Sequence, residues 1–157
     1  MPNGVVVGAL AVVNAFGDVL DIHDPRRIIA GARTAPESSS FADTANLFRS
    51  GAKRERFAMS NTTVGVIATN AGLNKQTAAK VARIAQNGLA KSIHPAHTTF
   101  DGDSVFVIST GQEEADLNGL CVMAETVLCH AIQRAVTEAH GFGLLPAYRD
   151  LKPEQTE

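Results

Sequence analysis

The sequence predicts an α/β fold in which strands and helices form separate layers. Two short apolar runs rich in β-branched residues, Val64–Thr69 and Val105–Ser109, are typical of buried strands. Each run is followed by a longer segment whose apolar residues recur at helical spacing. Because strand, helix, strand and helix alternate along the chain, the helices are expected to pack against a sheet.

The N-terminal part is predicted to form short strands. Gly4 to Val13 is an apolar run of strand length, and Asn14 to Gly17 is typical of a turn. Asp18 to Ile22 is expected to run back antiparallel to the first strand. Arg27 to Ala30 predicts a third, short strand.

A long loop is predicted over residues 32–60, with at most a weak helix from Phe41 to Arg49. The loop leads directly into the first buried strand. After that strand, Asn74 is a favourable N-cap for a helix that ends at His94-Pro95. The apolar stripe of this helix consists of Ala78, Val81, Ala82, Ala85 and Leu89.

The second helix is predicted from about Leu117 to His140. Its apolar side consists of Leu120, Met123, Ala124, Val127, Leu128, Ala131 and Ala135. A chain of 157 residues is long enough to bury a proper core. We therefore expect one α/β domain over residues 1–145 and a polar tail over residues 146–157.

Composition excludes several classes of function. The net charge is −2 at neutral pH, so no broad basic surface indicates a nucleic acid or an anionic membrane as partner. No apolar stretch reaches transmembrane length and no signal peptide is recognisable, so a cytoplasmic protein is expected. Cys121 and Cys129 lie in the second predicted helix. Their separation is about 12 Å at a rise of about 1.5 Å per residue, which is too far for a disulfide.

Thr62 is the first candidate for catalysis, because a hydroxyl residue at the start of a core strand is held in a fixed place. Cleavage of the Asn61–Thr62 bond would give Thr62 a free α-amine beside its hydroxyl. Such an amine has an ordinary pKa of about 7.7–8.0, and it is one of the few bases that can activate a threonine oxygen. Thr63 is the rival hydroxyl, but strand alternation places it on the opposite face. From these residues alone, the plainer interpretation is that Asn-Thr-Thr simply opens a strand.

Three blocks carry a family resemblance: Leu10–Asp18, Asn61–Ala71 and Gly88–Phe106. In this order they resemble the DmpA-like family of self-processing hydrolases, which includes L-aminopeptidase/D-amino-acid esterases, β-peptidyl aminopeptidases and the nylon-oligomer hydrolase. The resemblance covers Gly4 to about Ala139. It implies a layered αββα sandwich like that of N-terminal-nucleophile hydrolases. Family members carry a long segment before the first block, so this chain is expected to supply about the C-terminal half of that fold.

The resemblance also implies roles for individual residues. It places the processing bond between Asn61 and Thr62 and makes Thr62 the nucleophile. Asn14 would be the amide that donates to the oxyanion, whereas the residues alone favour an Asx turn at this position. Asp101 and Asp103 would orient the Thr62 ammonium group or hold a substrate amine.

Metal and cofactor sites are not expected. The Asp101-Gly102-Asp103 motif could open a calcium loop, but the later acidic ligands of an EF-hand are missing. His94 and His97 have no cysteine or carboxylate at zinc-ligand spacing, with Asp101 only a loose third candidate, so a proline-stiffened loop explains them better. No phosphate-binding or dinucleotide-binding glycine motif occurs.

The predicted function is therefore a self-processing hydrolase, an aminopeptidase acting on short peptides, amino-acid amides or esters. One alternative is an endo-hydrolase of linear oligoamides, because the Asn-Thr-Thr and Asp-Gly-Asp motifs both look like those of the nylon-oligomer hydrolase. Another is an inactive truncated homologue or a partner subunit. As partner we expect a second copy of the chain or a complementing N-terminal segment, since a half-fold leaves strand edges exposed.

Overall fold

The computed structural model describes residues 4–51, 61–143 and 145–151. Within these ranges the strands are β1 (Val7–Asn14), β2 (Asp18–Leu20), β3 (Ile28–Ala30), β4 (Thr62–Ala71), β5 (Ile93–His94) and β6 (Ser104–Glu113). The helices are α1 (Thr44–Arg49), α2 (Lys75–Ser92) and α3 (Leu117–Thr137), and a 3₁₀ turn follows at Tyr148–Asp150. Strands and helices alternate along the second half of the chain, so the predicted α/β class is confirmed.

The larger sheet has the strand order β1-β4-β6. β1 and β4 are antiparallel, with Val7 opposite Thr69 and Asn14 opposite Thr62. β4 and β6 are parallel, and α2 lies in the connection between them. Parallel neighbours need such a long connection, which explains the strand–helix–strand order of the sequence.

Helices α2 and α3 pack on one face of this sheet. The fully buried residues of this core include Ile67, Val81, Ala85, Leu89, Leu120, Ala124, Leu128 and Ile132. The layers are close at Gly65, where an added Cβ would lie 2.9 Å from Leu128 Cδ1. Asn74 caps α2 as predicted, because its side chain accepts hydrogen bonds from the amides of Gln76 and Thr77. Residues of both predicted apolar stripes therefore form the core.

The two cysteines of α3 are too far apart in the sequence pattern to form a disulfide. Cys121 and Cys129 are buried and form no disulfide, as their spacing predicts. The Cys129 thiol instead lies 3.5 Å from the Gly88 carbonyl oxygen, to which it donates.

Within the described ranges, no helix combines the length and the apolar character that crossing a bilayer requires.

A second, smaller sheet has the order β3-β2-β5. The sequence predicted that Asp18 to Ile22 would run back along the first strand, and this is wrong, because β2 pairs with β3 and β5. The reason is visible at Gly17, where an added Cβ would lie 2.1 Å from the Pro95 carbonyl oxygen. The chain leaves β1 in close contact with the segment after β5, and it continues as the neighbour of β5.

The buried carboxylate of Asp18 joins the smaller sheet to α1. Its Oδ2 accepts a hydrogen bond from the Thr44 amide at 2.6 Å, and its Oδ1 accepts one from the Thr44 hydroxyl at 2.9 Å. Burial raises the pKa of Asp18 above its ordinary value of 3.8, although both hydrogen bonds from Thr44 act against this increase. Gly31 leaves room for the carboxylate, since a Cβ there would lie 2.1 Å from Asp18 Oδ1. These contacts fix the start of α1 against β2.

The other face of the larger sheet is largely exposed and apolar. We call it the open face; it consists of Leu10, Val12, Val64, Val66, Phe106 and Ile108. Leu10 and Val12 are each 62% exposed, and Phe106 is 58% exposed. These residues are adjacent because Val12 lies opposite Val64 and Val66 lies opposite Phe106. Large contiguous apolar surfaces are uncommon on monomeric proteins.

Candidate active site

Strand β4 begins at Thr62, and strand alternation separates the two neighbouring threonines. Thr63 is fully buried on the face that packs against the helices, together with Gly65 and Ile67. Its hydroxyl has no hydrogen-bond partner within the described residues. Thr62 is only half-buried and lies on the side of the open face with Val64. The hydroxyl accessible from the open face is therefore that of Thr62 and not that of Thr63.

Asn14 is the last residue of β1 and lies directly opposite Thr62. Directly opposite residues in an antiparallel pair share a face, with Cβ atoms about 4.5–5.5 Å apart. The Asn14 side chain is exposed and makes no hydrogen bond to another residue of the described ranges. Within those ranges, the hydrogen bond of an Asx turn is therefore not made. The register brings the Asn14 amide next to Thr62.

The peptide bond between Asn61 and Thr62 lies beside the loop before β6. Asn61 forms a parallel β-bridge with Asp101. The Gly102 amide donates to the Asn61 carbonyl oxygen at 3.0 Å. The Asn61 side-chain amide donates to the Ala15 carbonyl oxygen at 3.1 Å. Asn61 is thus held through both its main chain and its side chain.

Asp103 contacts the next peptide group along the chain. Its Oδ1 accepts a hydrogen bond from the Thr63 amide at 2.7 Å. Partial burial raises the pKa of Asp103, and the charge of Asp101 raises it further. The Thr63 hydrogen bond and the nearby His97 act in the opposite direction. The Asp103 carboxyl therefore holds its proton more tightly than an exposed aspartate does.

Asp101 has different surroundings. Its Oδ2 accepts hydrogen bonds from the Thr98 amide at 2.7 Å and from the Thr98 hydroxyl at 2.8 Å. These bonds close the loop that leads into β6. Of the two carboxylates, it is Asp103 that bonds a peptide group adjoining Thr62. The predicted role of Asp101 and Asp103 in orienting the Thr62 amine stays a prediction.

Gly102 is the site residue that sequence reasoning did not single out. An added Cβ on Gly102 would lie 2.8 Å from Thr62 Oγ1, closer than real Cβ contacts come. A glycine is therefore what leaves room for the hydroxyl at this point. The only signal in the sequence is the Asp-Gly-Asp spacing, which an ordinary turn explains as well.

The two histidines considered as metal ligands belong to different elements of the fold. His94 belongs to β5 and lies opposite Asp18 in the smaller sheet. His97 is in the loop before β6, where its charge lowers the pKa of Asp103. In the described part of the chain, no three His, Cys, Asp or Glu side chains are grouped so that they could hold a metal ion.

An open pocket of about 420 Å³ adjoins the loop before β6. It is lined by Ala45, Phe48, Arg49, His94, Pro95, Thr98, Thr99 and Phe100. The rings of Phe16, Phe48 and Phe100 form a cluster with centroids 5.0–6.1 Å apart. Thr98 connects this pocket to Asp101 through the hydrogen bonds described above. The pocket wall offers an aromatic, apolar surface next to the candidate site.

Comparison with known proteins shows which family the chain resembles. A family model described as peptidase family S58 matches residues 1–147. Proteins named "uncharacterized aminopeptidase" from Mycobacterium tuberculosis and Mycobacterium bovis are each 34% identical over 174 aligned positions, covering 98% of this chain and 50% of the relative. A protein with the same descriptive name from Mycobacterium leprae is 32% identical, covering 98% of this chain and 46% of the relative. The chain spans about half the length of the curated relatives it matches.

Proposed function

Because the chain belongs to peptidase family S58, we propose that it carries the nucleophile of a self-processing amide hydrolase. The membership confirms the resemblance seen in the sequence, and the names of the relatives support an aminopeptidase. In this proposal, cleavage between Asn61 and Thr62 releases Thr62 as an N-terminal nucleophile. The substrates are short peptides, amino-acid amides or esters.

One observation carries the proposal: Thr62 and Asn14 are directly opposite each other at one end of the open face. Attack by a nucleophile leaves a negative charge on the carbonyl oxygen of the substrate, and a hydrogen-bond donor must lie within reach of that oxygen. Losing one such donor typically lowers the rate by about 10²–10³-fold. Strand pairing supplies this arrangement without a loop, so the two side chains are held by the sheet itself. The buried Thr63 lies on the wrong face for the same role.

The first reaction in this mechanism takes place within the chain. The Thr62 hydroxyl oxygen attacks the carbonyl carbon of Asn61, and the bond from that carbon to the Thr62 nitrogen breaks. The hydroxyl proton ends on the released nitrogen, and Asn61 is left as an ester on Thr62. Water then hydrolyses the ester and frees both groups of Thr62.

The second reaction uses the freed amine as a base. The Thr62 amine takes the hydroxyl proton while the oxygen attacks the carbonyl carbon of a bound amide. The Asn14 amide donates to the oxygen of the tetrahedral intermediate, and the leaving amine takes up the proton. Hydrolysis of the acyl-enzyme ester returns Thr62 to its starting state.

The proposal includes an architecture in which the open face is covered. In a layered αββα sandwich a second sheet packs on this face, and the chain accounts for about half the length of its relatives. The occupant we propose is the counterpart of the half that precedes the matched region in family members; pairing with a second copy of the chain is the alternative. Such a cover would enclose Thr62 and Asn14 between two layers.

Mass spectrometry of the purified chain tests self-processing directly. Two masses corresponding to residues 1–61 and 62–157 are expected, and Edman sequencing of the second fragment should begin Thr-Thr-Val. A fragment boundary at any other bond would contradict the assignment of Thr62. An intact mass that persists even when the complementing segment is supplied would contradict self-processing.

Asn14→Ala is expected to lower the turnover number by about 10²-fold while changing the melting temperature little, because an exposed oxyanion donor contributes to the reaction and not to the core. The measurement is steady-state amide hydrolysis together with thermal unfolding. Asn87→Ala is a suitable control, since Asn87 is exposed on α2. An unchanged turnover number with a lowered melting temperature would return Asn14 to the role of a turn residue.

A further inference from the structure

The loop before β6 contacts both peptide groups that flank Thr62. The Gly102 amide donates to the carbonyl oxygen of Asn61 at 3.0 Å, and Asp103 accepts from the amide of Thr63 at 2.7 Å. The first of these contacts is on the carbonyl that Thr62 would attack. The second fixes the start of β4 on the far side of the nucleophile.

We propose that the main-chain N–H of Gly102 is an oxyanion donor for self-processing, an inference that rests on the proposed function. When Thr62 Oγ1 bonds to the Asn61 carbonyl carbon, one electron pair of the carbonyl double bond moves to its oxygen. The N–H of Gly102 already points at that oxygen. Its distance lies within the range of about 2.7–3.1 Å that effective oxyanion donors show.

The absence of a side chain at Gly102 is needed for the same arrangement of donor and nucleophile. An added Cβ would lie 2.8 Å from Thr62 Oγ1. Any other residue would therefore displace either the hydroxyl or the donor. With glycine, the donor approaches the carbonyl while the nucleophile keeps its place beside it. Asn14, on the other side of Thr62, is then free to serve the substrate reaction.

The contact also continues the pairing of β4 and β6 beyond their first residues, so the test must separate chemistry from sheet stability. Semisynthesis allows Gly102→glycolic acid, which replaces the N–H by an oxygen and adds no bulk. Gly72 provides a matched control, because its amide donates to the Glu113 carbonyl oxygen at 3.0 Å at the opposite end of β4. Gly72→glycolic acid removes an equal hydrogen bond far from Thr62.

Cleavage at Asn61–Thr62 is followed by mass spectrometry after refolding, and thermal unfolding is recorded for each form. The Gly102 ester is expected to be cut about 10²- to 10³-fold more slowly than the all-amide chain. The Gly72 ester is expected to be cut at the rate of the all-amide chain, with a similar change in melting temperature.

Three outcomes would overturn the inference. Cleavage of the Gly102 ester at the rate of the all-amide chain would show that this N–H takes no part. Equal slowing of both esters would assign the effect to sheet stability. An all-amide chain that is never cut at Asn61–Thr62, even when the complementing segment is supplied, would overturn the proposed function as well, which distinguishes that failure from the other two.

Discussion

Thr62→Ala is expected to abolish both cleavage at Asn61 and hydrolysis of added amides. The hydroxyl is the attacking group in both reactions, and removal of a nucleophile from a hydrolase costs on the order of 10⁶ in turnover. The chain should still fold, because Thr62 is only half-buried and its side chain is not part of the core. Mass spectrometry reports the cleavage, and a chromogenic amino-acid anilide reports the hydrolysis.

Thr63→Val is the matched control for this experiment. Thr63 is fully buried and its hydroxyl has no partner within the described residues, so valine fills the same space without an unsatisfied oxygen. We expect cleavage at the normal rate and a free energy of unfolding raised by about 1 kcal/mol. A chain that is cut with Thr62→Ala but uncut with Thr63→Val would exchange the two assignments.

The second large effect is expected from completing the fold. The chain alone should self-associate and show weak or no hydrolysis, whereas co-expression with the N-terminal half of a close relative should restore activity. The physical reason is the open face, whose Leu10 and Val12 are each 62% exposed. Positioning of a substrate can lower the activation barrier by about 7–11 kcal/mol. A site that lacks the residues of the other half holds the substrate poorly and gains little of this reduction.

Light scattering and anilide hydrolysis, each with and without the added half, measure this prediction; a linear oligoamide tests the endo-acting alternative. Val12→Lys should block both self-association and complementation. Val122→Lys is the control, because Val122 is 63% exposed but lies on α3, away from the open face. A monomer that is fully active by itself would show that no cover is needed.

The local pattern of the sequence was sufficient for the large elements. β-branched runs and helical stripes predicted β4, β6, α2 and α3, because the core that these elements share imposes their periodicity. The pairing of β2 was predicted wrongly, since a three-residue strand has no periodic signal and its partners are chosen by the close contact at Gly17.

Some features of the candidate site could likewise be predicted from the sequence pattern, and others could not. Thr62 and its separation from Thr63 follow from strand alternation, which a sequence displays. The opposition of Asn14 and Thr62 depends on the register between strands far apart in the chain, which the local pattern does not show. The family resemblance implied only that both residues act at one site. The Gly102 contact is made by main-chain atoms and depends on glycine having no side chain, so no residue type in the sequence predicts it.

The buried carboxylate of Asp18 links the stability of the fold to pH. Because burial raises its pKa above 3.8, the folded chain binds more protons than the unfolded chain between the two pKa values. The contribution of Asp18 to the free energy of unfolding is therefore fully present below the unfolded pKa, and it is lost as the pH rises through the folded one. The attachment of α1 to β2 is accordingly a part of this molecule whose strength depends on acidity, and a change of pH that titrates Asp18 will be felt in the segment that runs from β3 to α1.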